Sequence, residues 1–109
     1  MEASKRCLVA CATAANWMGT YVMLVHMGFY GRLEKSYAFR NCINALKDII
    51  ATMNSLGTRN VKLGPETIGR VFQVGSLDEL MICEEVEQTH FVIDWSHLHA
   101  RHQGRFREV

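Results

Sequence analysis

The stretch NVKLGPETIGRVFQVGSLDEL, Asn60 to Leu80, sets a short apolar run, a glycine-rich turn and a helix start one after another. NVKL reads as a strand bounded by turn formers. Between Leu63 and Ser76 lie the only proline, Pro65, and three of the eight glycines, with the carboxylate of Glu66 among them. Ser76-Leu77-Asp78-Glu79 has the S-x-x-E form of a capping box and predicts a helix running to about Glu87. Strand, loop and helix in that order make a βα unit.

The same alternation extends to both sides. Leu8, Cys11, Ala15 and Met18 recur at three and four and predict an amphipathic helix from Ser4, with Gly19 to end it. YVMLVH, Tyr21 to His26, is a valine-rich apolar run suited to a strand buried on both faces. Leu33, Tyr37, Ile43, Leu46, Ile50 and Met53 mark a long second helix closed by Gly57. HFVIDW, His90 to Trp95, is a third strand. Helices and strands in strict alternation predict an α/β fold of three parallel strands and three helices, joined by right-handed crossovers.

With 109 residues, 49% hydrophobic and 21% charged, the composition suits one modest core, and residues 1–109 read as a single domain. The net charge of +1 excludes a global electrostatic drive towards nucleic acid or membrane, so a local patch has to carry any such interaction. The opening MEASKRCLVACATAANW breaks off its apolar run too early for a signal peptide or membrane span, which predicts a cytoplasmic protein. Cys7, Cys11, Cys42 and Cys83 form no CxxC pair, and they read as buried thiols rather than metal ligands or disulfides.

Each predicted strand ends in a potential metal ligand: His26 after YVMLV, Glu66 after NVKLGP, and Asp94 after HFVI, with His97 three residues on. Singly, each has a structural explanation. In a parallel α/β fold, however, the carboxyl ends of the strands share one face, so the four side chains converge. Two imidazoles with two carboxylates suit Zn²⁺, Mn²⁺ or Fe²⁺.

Three motifs then carry a resemblance. GPETIGRVFQVGSLDEL is similar to the Glu loop of the endonuclease IV family of apurinic/apyrimidinic endonucleases. LVHMGFYGR resembles that family's H-x-G loop, and VIDWSHLHAR its D-x-x-H-x-x-A-R segment. The order matches across essentially the whole chain. The resemblance implies a xylose-isomerase-like TIM-type (β/α)₈ barrel and a three-zinc cluster that cuts the phosphodiester 5′ to an abasic site in DNA. It implies that His26 ligates a first zinc, that Glu66 is the catalytic-site carboxylate bridging two zincs, and that Asp94 and His97 ligate a second and a third.

Gly64 and Gly69 would let the backbone pass close to metal or DNA, and Pro65 would stiffen the turn. Arg101, with Arg105 and Arg107, would offer guanidinium groups to phosphate. Phe29 and Tyr30 are candidates to stack on a base or sugar, although core or loop packing is the stronger reading.

A complete barrel takes about 250 residues, and three strands of eight correspond to the middle of the family fold. The expectations are therefore weak or absent activity for this chain alone, fewer zinc ions than three, and self-association or a complementing chain to cover the open sheet. Two alternatives share the pattern. One is a sugar isomerase or epimerase working with one Mn²⁺ or Mg²⁺, and the other is a non-catalytic oligomerising remnant.

Overall fold

A computed structural model describes residues 2–105. The elements run α1 (Glu2–Trp17), β1 (Val22–Val25), α2 (Lys35–Ser55), β2 (Lys62–Pro65), α3 (Leu77–Cys83) and α4 (Trp95–Arg101). The strands pair in parallel, Val22 opposite Lys62 and Val25 opposite Pro65. The fold is thus α/β, consistent with part of a TIM-type barrel, and a helix separates the two strands as a parallel connection requires.

The third predicted strand is present as pairing but not as a continuous element. Leu63 bridges Thr89 and Glu66 bridges Val92, both in parallel. Around them, Leu63 N–H donates to Gln88 O at 3.0 Å, and Thr67 N–H donates to Val92 O at 3.0 Å. The rung between these two belongs to Pro65, which has no N–H to give to the 88–92 segment. The proline therefore breaks the ladder into two bridges. The segment is cut short at its far end as well, because Asp94, read from sequence as a strand residue, caps α4.

Helix ends follow the glycines. Gly19 and Gly57 take φ of +76° and +81°. After each helix two bonds close a Schellman turn: Thr20 N–H to Ala15 O at 2.9 Å, and Thr58 N–H to Met53 O at 3.0 Å, are the long ones. Helix α3 has the expected capping box: Glu79 N–H donates to Ser76 Oγ at 3.3 Å, and Ser76 N–H donates to Glu79 Oε1 at 3.1 Å. It stops at Cys83, sooner than the reading to Glu87.

The core lies between the sheet and the helices. Met53, Val61, Leu63, Leu80 and Cys83 have no exposed surface, and Ala12, Ala15, Leu46 and Ile49 join them. Helix α1 packs on α2 through a face of small residues, Ala12 and Ala15, with Leu8 and Val9 alongside. This face is rotated from the one read from sequence. Cys7 and Cys11, expected to be buried, are both exposed because they sit off the contact stripe. Cys83 is buried as expected and Cys42 partly so. Burial raises the Cys42 thiol and pushes that of Cys83 up to about 12, so both stay protonated and inert.

The opposite side of the sheet is open. Leu24 is 53% exposed, and Trp17, Met18 and Tyr21, in the passage from α1 to β1, are exposed as well. Among the described residues, β1 has β2 as its only neighbour in the sheet.

Candidate metal centre

All four ligand candidates from the sequence lie at the carboxyl ends of the strands. Glu66 follows β2, His26 follows β1, and Asp94 and His97 open α4 beyond the 88–92 segment. Ligand atoms of Glu66, Asp94 and His97 all lie within 4.8 Å of one another. His26 joins this trio through Glu66, with Nε2 2.7 Å from Glu66 Oε2. A carboxylate only accepts, so that nitrogen is the donor. The imidazole rings of His26 and His97 stand edge to face, with centroids 6.4 Å apart.

Each of the three is held by its backbone setting. Glu66 N–H donates to Val25 O at 3.2 Å, which ties the carboxylate to the end of β1. Asp94 is the N-cap of α4, and its Oδ1 accepts from His97 N–H at 3.0 Å and from the Ser96 hydroxyl. The Ser96 hydroxyl and then the His97 amide hold the Asp94 carboxyl below its usual range, which favours the anion a cation needs. His97 Nδ1 donates to the carbonyl of Thr67 at 2.7 Å. Its lone pair is therefore on Nε2, the arrangement of a ligating histidine whose other nitrogen is tied to a carbonyl.

The donor set fits a divalent cation. Two carboxylates and the His97 imidazole gather at one place, each only partly exposed, with His26 hydrogen-bonded to Glu66 beside them. Hard oxygen and borderline nitrogen donors, with the cysteines elsewhere, match zinc or manganese.

The loops around the centre are fastened to each other. Phe29 pairs with Gln73 in an antiparallel bridge. Tyr30 N–H donates to Phe72 O at 3.0 Å, and Gln73 Nε2 donates to Met27 O at 2.6 Å. The exposed rings of Phe29 and Phe72 stack with centroids 5.7 Å apart. A cleft of about 370 Å³ lies between these loops and is lined by His26, Phe29, Ile68, Arg70 and His97.

Arg101 departs from its expected place at a phosphate. Its Nη1 donates to Ile68 O, Arg70 O and Gln73 O at 3.1, 2.9 and 3.0 Å, and its Nη2 donates to the Tyr30 hydroxyl at 3.2 Å. The guanidinium is a clamp on the glycine loop, and only 9% of the side chain is exposed. Arg105 is exposed, and Arg107 lies outside the described residues. The glycines also serve the protein itself. A Cβ on Gly64 would meet Val22 Cγ1 at 2.9 Å, and one on Gly69 would meet Ala100 Cβ at 3.3 Å.

Tyr30 is buried rather than free to stack on a ligand. Its hydroxyl donates to Glu79 Oε1 at 2.7 Å, the oxygen that also serves the capping box. Burial, then the Glu79 contact, pushes the phenol from 10.0 up to about 12. Burial also tends to raise Glu79, but the bonds from Tyr30, Ser76 and Gly75 outweigh it and hold that carboxyl below 4.5.

The signs give a stability window. The Glu79 contribution is present above its unfolded value of 4.5 and is lost as pH falls through its lower folded value. The Tyr30 contribution is complete below 10.0 and is lost as pH rises through about 12. Urea melts across pH should show both losses, and Tyr30→Phe should lessen the alkaline one, the Cys83 thiol accounting for a further share. Stability that rises between pH 10 and 12 would contradict the assignment.

Two comparisons bear on family. The family model described as the xylose isomerase-like TIM barrel matches residues 1–109. The uncharacterized protein MJ0133 of Methanocaldococcus jannaschii is 31% identical over 105 residues. That match covers 95% of this chain and 37% of the relative, so the chain spans a little over a third of the curated protein it resembles. No solved structure matches. No helix among the described residues is long and apolar enough to cross a membrane. With the family match running from end to end, and with parallel strands, flanking helices and polar groups gathered at the strands' carboxyl ends, the chain belongs to the xylose isomerase-like TIM barrel family.

Proposed function

We propose that this chain contributes a metal centre of the endonuclease IV type, for hydrolysis of a phosphodiester bond at abasic sites in DNA. The observation that carries the reading is the convergence of Glu66, Asp94 and His97 within 4.8 Å, with His26 hydrogen-bonded to Glu66. Glu66 is the central carboxylate and the residue on which catalysis turns. Zinc bound there supplies Lewis acidity towards water and a phosphoryl oxygen. The protein's own groups do the rest: Asp94 and Glu66 bring negative charge, His97 keeps the lone pair on Nε2 while its Nδ1–H is tied to Thr67 O, and His26 holds a proton at Nε2 against Glu66. The exposed Arg105 remains the candidate for a phosphate contact, in a cytoplasmic setting.

The P-E-T-x-G and D-x-x-H-x-x-A-R wording around Glu66, Asp94 and His97 favours zinc hydrolysis over carbohydrate isomerisation on Mg²⁺ or Mn²⁺. The xylose isomerase-like character of the family supports a sugar isomerase or epimerase as the second reading. Abasic duplex DNA incubated with the zinc-loaded chain should be cut slowly on the 5′ side of the lesion, and Glu66→Ala should abolish the cut. Equal rates for wild type and variant, or aldose–ketose interconversion with one Mn²⁺ or Mg²⁺, would overturn the hydrolase reading.

The open sheet bears on partners. Leu24, Tyr21, Trp17 and Met18 are all more than half exposed, and among the described residues β1 pairs on one side only, which favours association with a second copy or with a chain supplying further strands. Light scattering should give a mass above 12.4 kDa that rises with concentration. A single sharp monomer at all concentrations would contradict it.

A further inference from the structure

Thr67 is fully buried beside the metal centre, and its hydrogen bonds depart from the ladder it belongs to. The rungs between β2 and the 88–92 segment run Val92 N–H to Pro65 O at 2.8 Å, then Thr67 N–H to Val92 O at 3.0 Å. The next rung of a parallel ladder would take Asp94 N–H to the carbonyl of Thr67. Instead, Asp94 N–H donates to the Thr67 hydroxyl at 2.7 Å, and that hydroxyl donates to Asp94 O at 3.1 Å. The side chain has replaced the main chain as acceptor. The Thr67 carbonyl is thereby released, and His97 Nδ1 donates to it at 2.7 Å.

We infer that Thr67 is a positioning residue for the metal centre: its hydroxyl takes the Asp94 amide out of the ladder so that its carbonyl can fix the ligating tautomer of His97. The inference rests on the metal-centre reading above. One residue, covalently next to Glu66, thus sets the backbone of one ligand and the imidazole of another. Valine has the shape of threonine without the hydroxyl. In Thr67→Val the Asp94 amide loses its partner and competes for the carbonyl, so His97 shifts towards the Nε2–H form, which cannot bind a cation through Nε2. Outer partners of this kind are worth about 10–100-fold in metal affinity.

The test combines zinc affinity by chelator competition with ¹⁵N NMR of the imidazole at a pH where it is neutral. Wild type and Thr67→Ser should show His97 as the Nδ1–H tautomer and bind zinc alike. Thr67→Val should lose that preference and bind roughly 10–100-fold more weakly while circular dichroism stays unchanged. Unchanged tautomer and affinity in Thr67→Val would overturn the inference. Should that variant fail to fold, the wild-type spectrum decides, since a predominant Nε2–H tautomer there overturns the inference outright. A tautomer shift in Thr67→Val, in a chain that binds no zinc even as wild type, would uphold the role of the hydroxyl and overturn the metal-centre reading instead.

Discussion

Glu66→Ala is expected to strip the chain of most of its zinc. Glu66 belongs to the trio whose ligand atoms lie within 4.8 Å, and it is the residue that links His26 to the other two. Removing a direct ligand costs more than removing an outer partner, so affinity should fall by about 100-fold or more. Folding should survive. The Glu66 main chain keeps its bond to Val25 O, and the lost pair involves a His26 side chain that is 59% exposed, where such pairs contribute roughly 0–1 kcal/mol. Chelator competition followed by metal analysis reads the change. A variant that holds zinc as tightly as wild type would remove Glu66 from the site.

Arg101→Met is expected to produce the largest loss of stability among single surface-adjacent changes. Methionine keeps length and apolar stem but removes a guanidinium that serves Ile68 O, Arg70 O, Gln73 O and the Tyr30 hydroxyl. Water can replace the cation at the exposed Arg70, but Ile68 and Gln73 are buried. Charged hydrogen bonds contribute about 1.5–3 kcal/mol, and buried acceptors left unpaired cost about 1–3 kcal/mol each, so a net loss of roughly 3 kcal/mol is expected. That is a large part of the roughly 5–15 kcal/mol typical of a domain. A thermal melt should show a Tm lower by about 10 °C or more. The glycine loop and Glu66 depend on that clamp, so zinc affinity should fall with stability. An unchanged Tm, together with weakened binding of DNA alone, would return Arg101 to the phosphate-contacting role read from sequence.

Much of the architecture was legible because local signals agreed with it. The capping box at Ser76 and Glu79, the helix-ending glycines and the valine-rich run before His26 each state a local preference that tertiary packing reinforces. The departures have physical causes. The third strand fails as a continuous element because Pro65 cannot supply its rung and because Asp94 turns the chain into α4. The aspartate before Trp-Ser-His-Leu was itself a helix-start signal, masked by the apolar run ending in Trp95.

For the site, strand-end placement was enough to bring His26, Glu66, Asp94 and His97 to one face. Spacing carries no record of where a guanidinium turns, so Arg101 was read as a ligand-binding group rather than a loop clamp. Thr67 had no signal of its own in the sequence. Its importance lies in which of two acceptors the Asp94 amide chooses, and that appears only once the strands are paired.

The central claim, a cation held by Glu66, Asp94 and His97, is tested most directly by zinc K-edge X-ray absorption on the metal-loaded chain. The arrangement predicts a first shell of nitrogen and oxygen at about 2.0–2.2 Å, with outer scattering from imidazole and no sulfur. A sulfur shell at about 2.3 Å would place the zinc on thiolates such as the exposed Cys7 and Cys11, and would contradict the site at the strand ends.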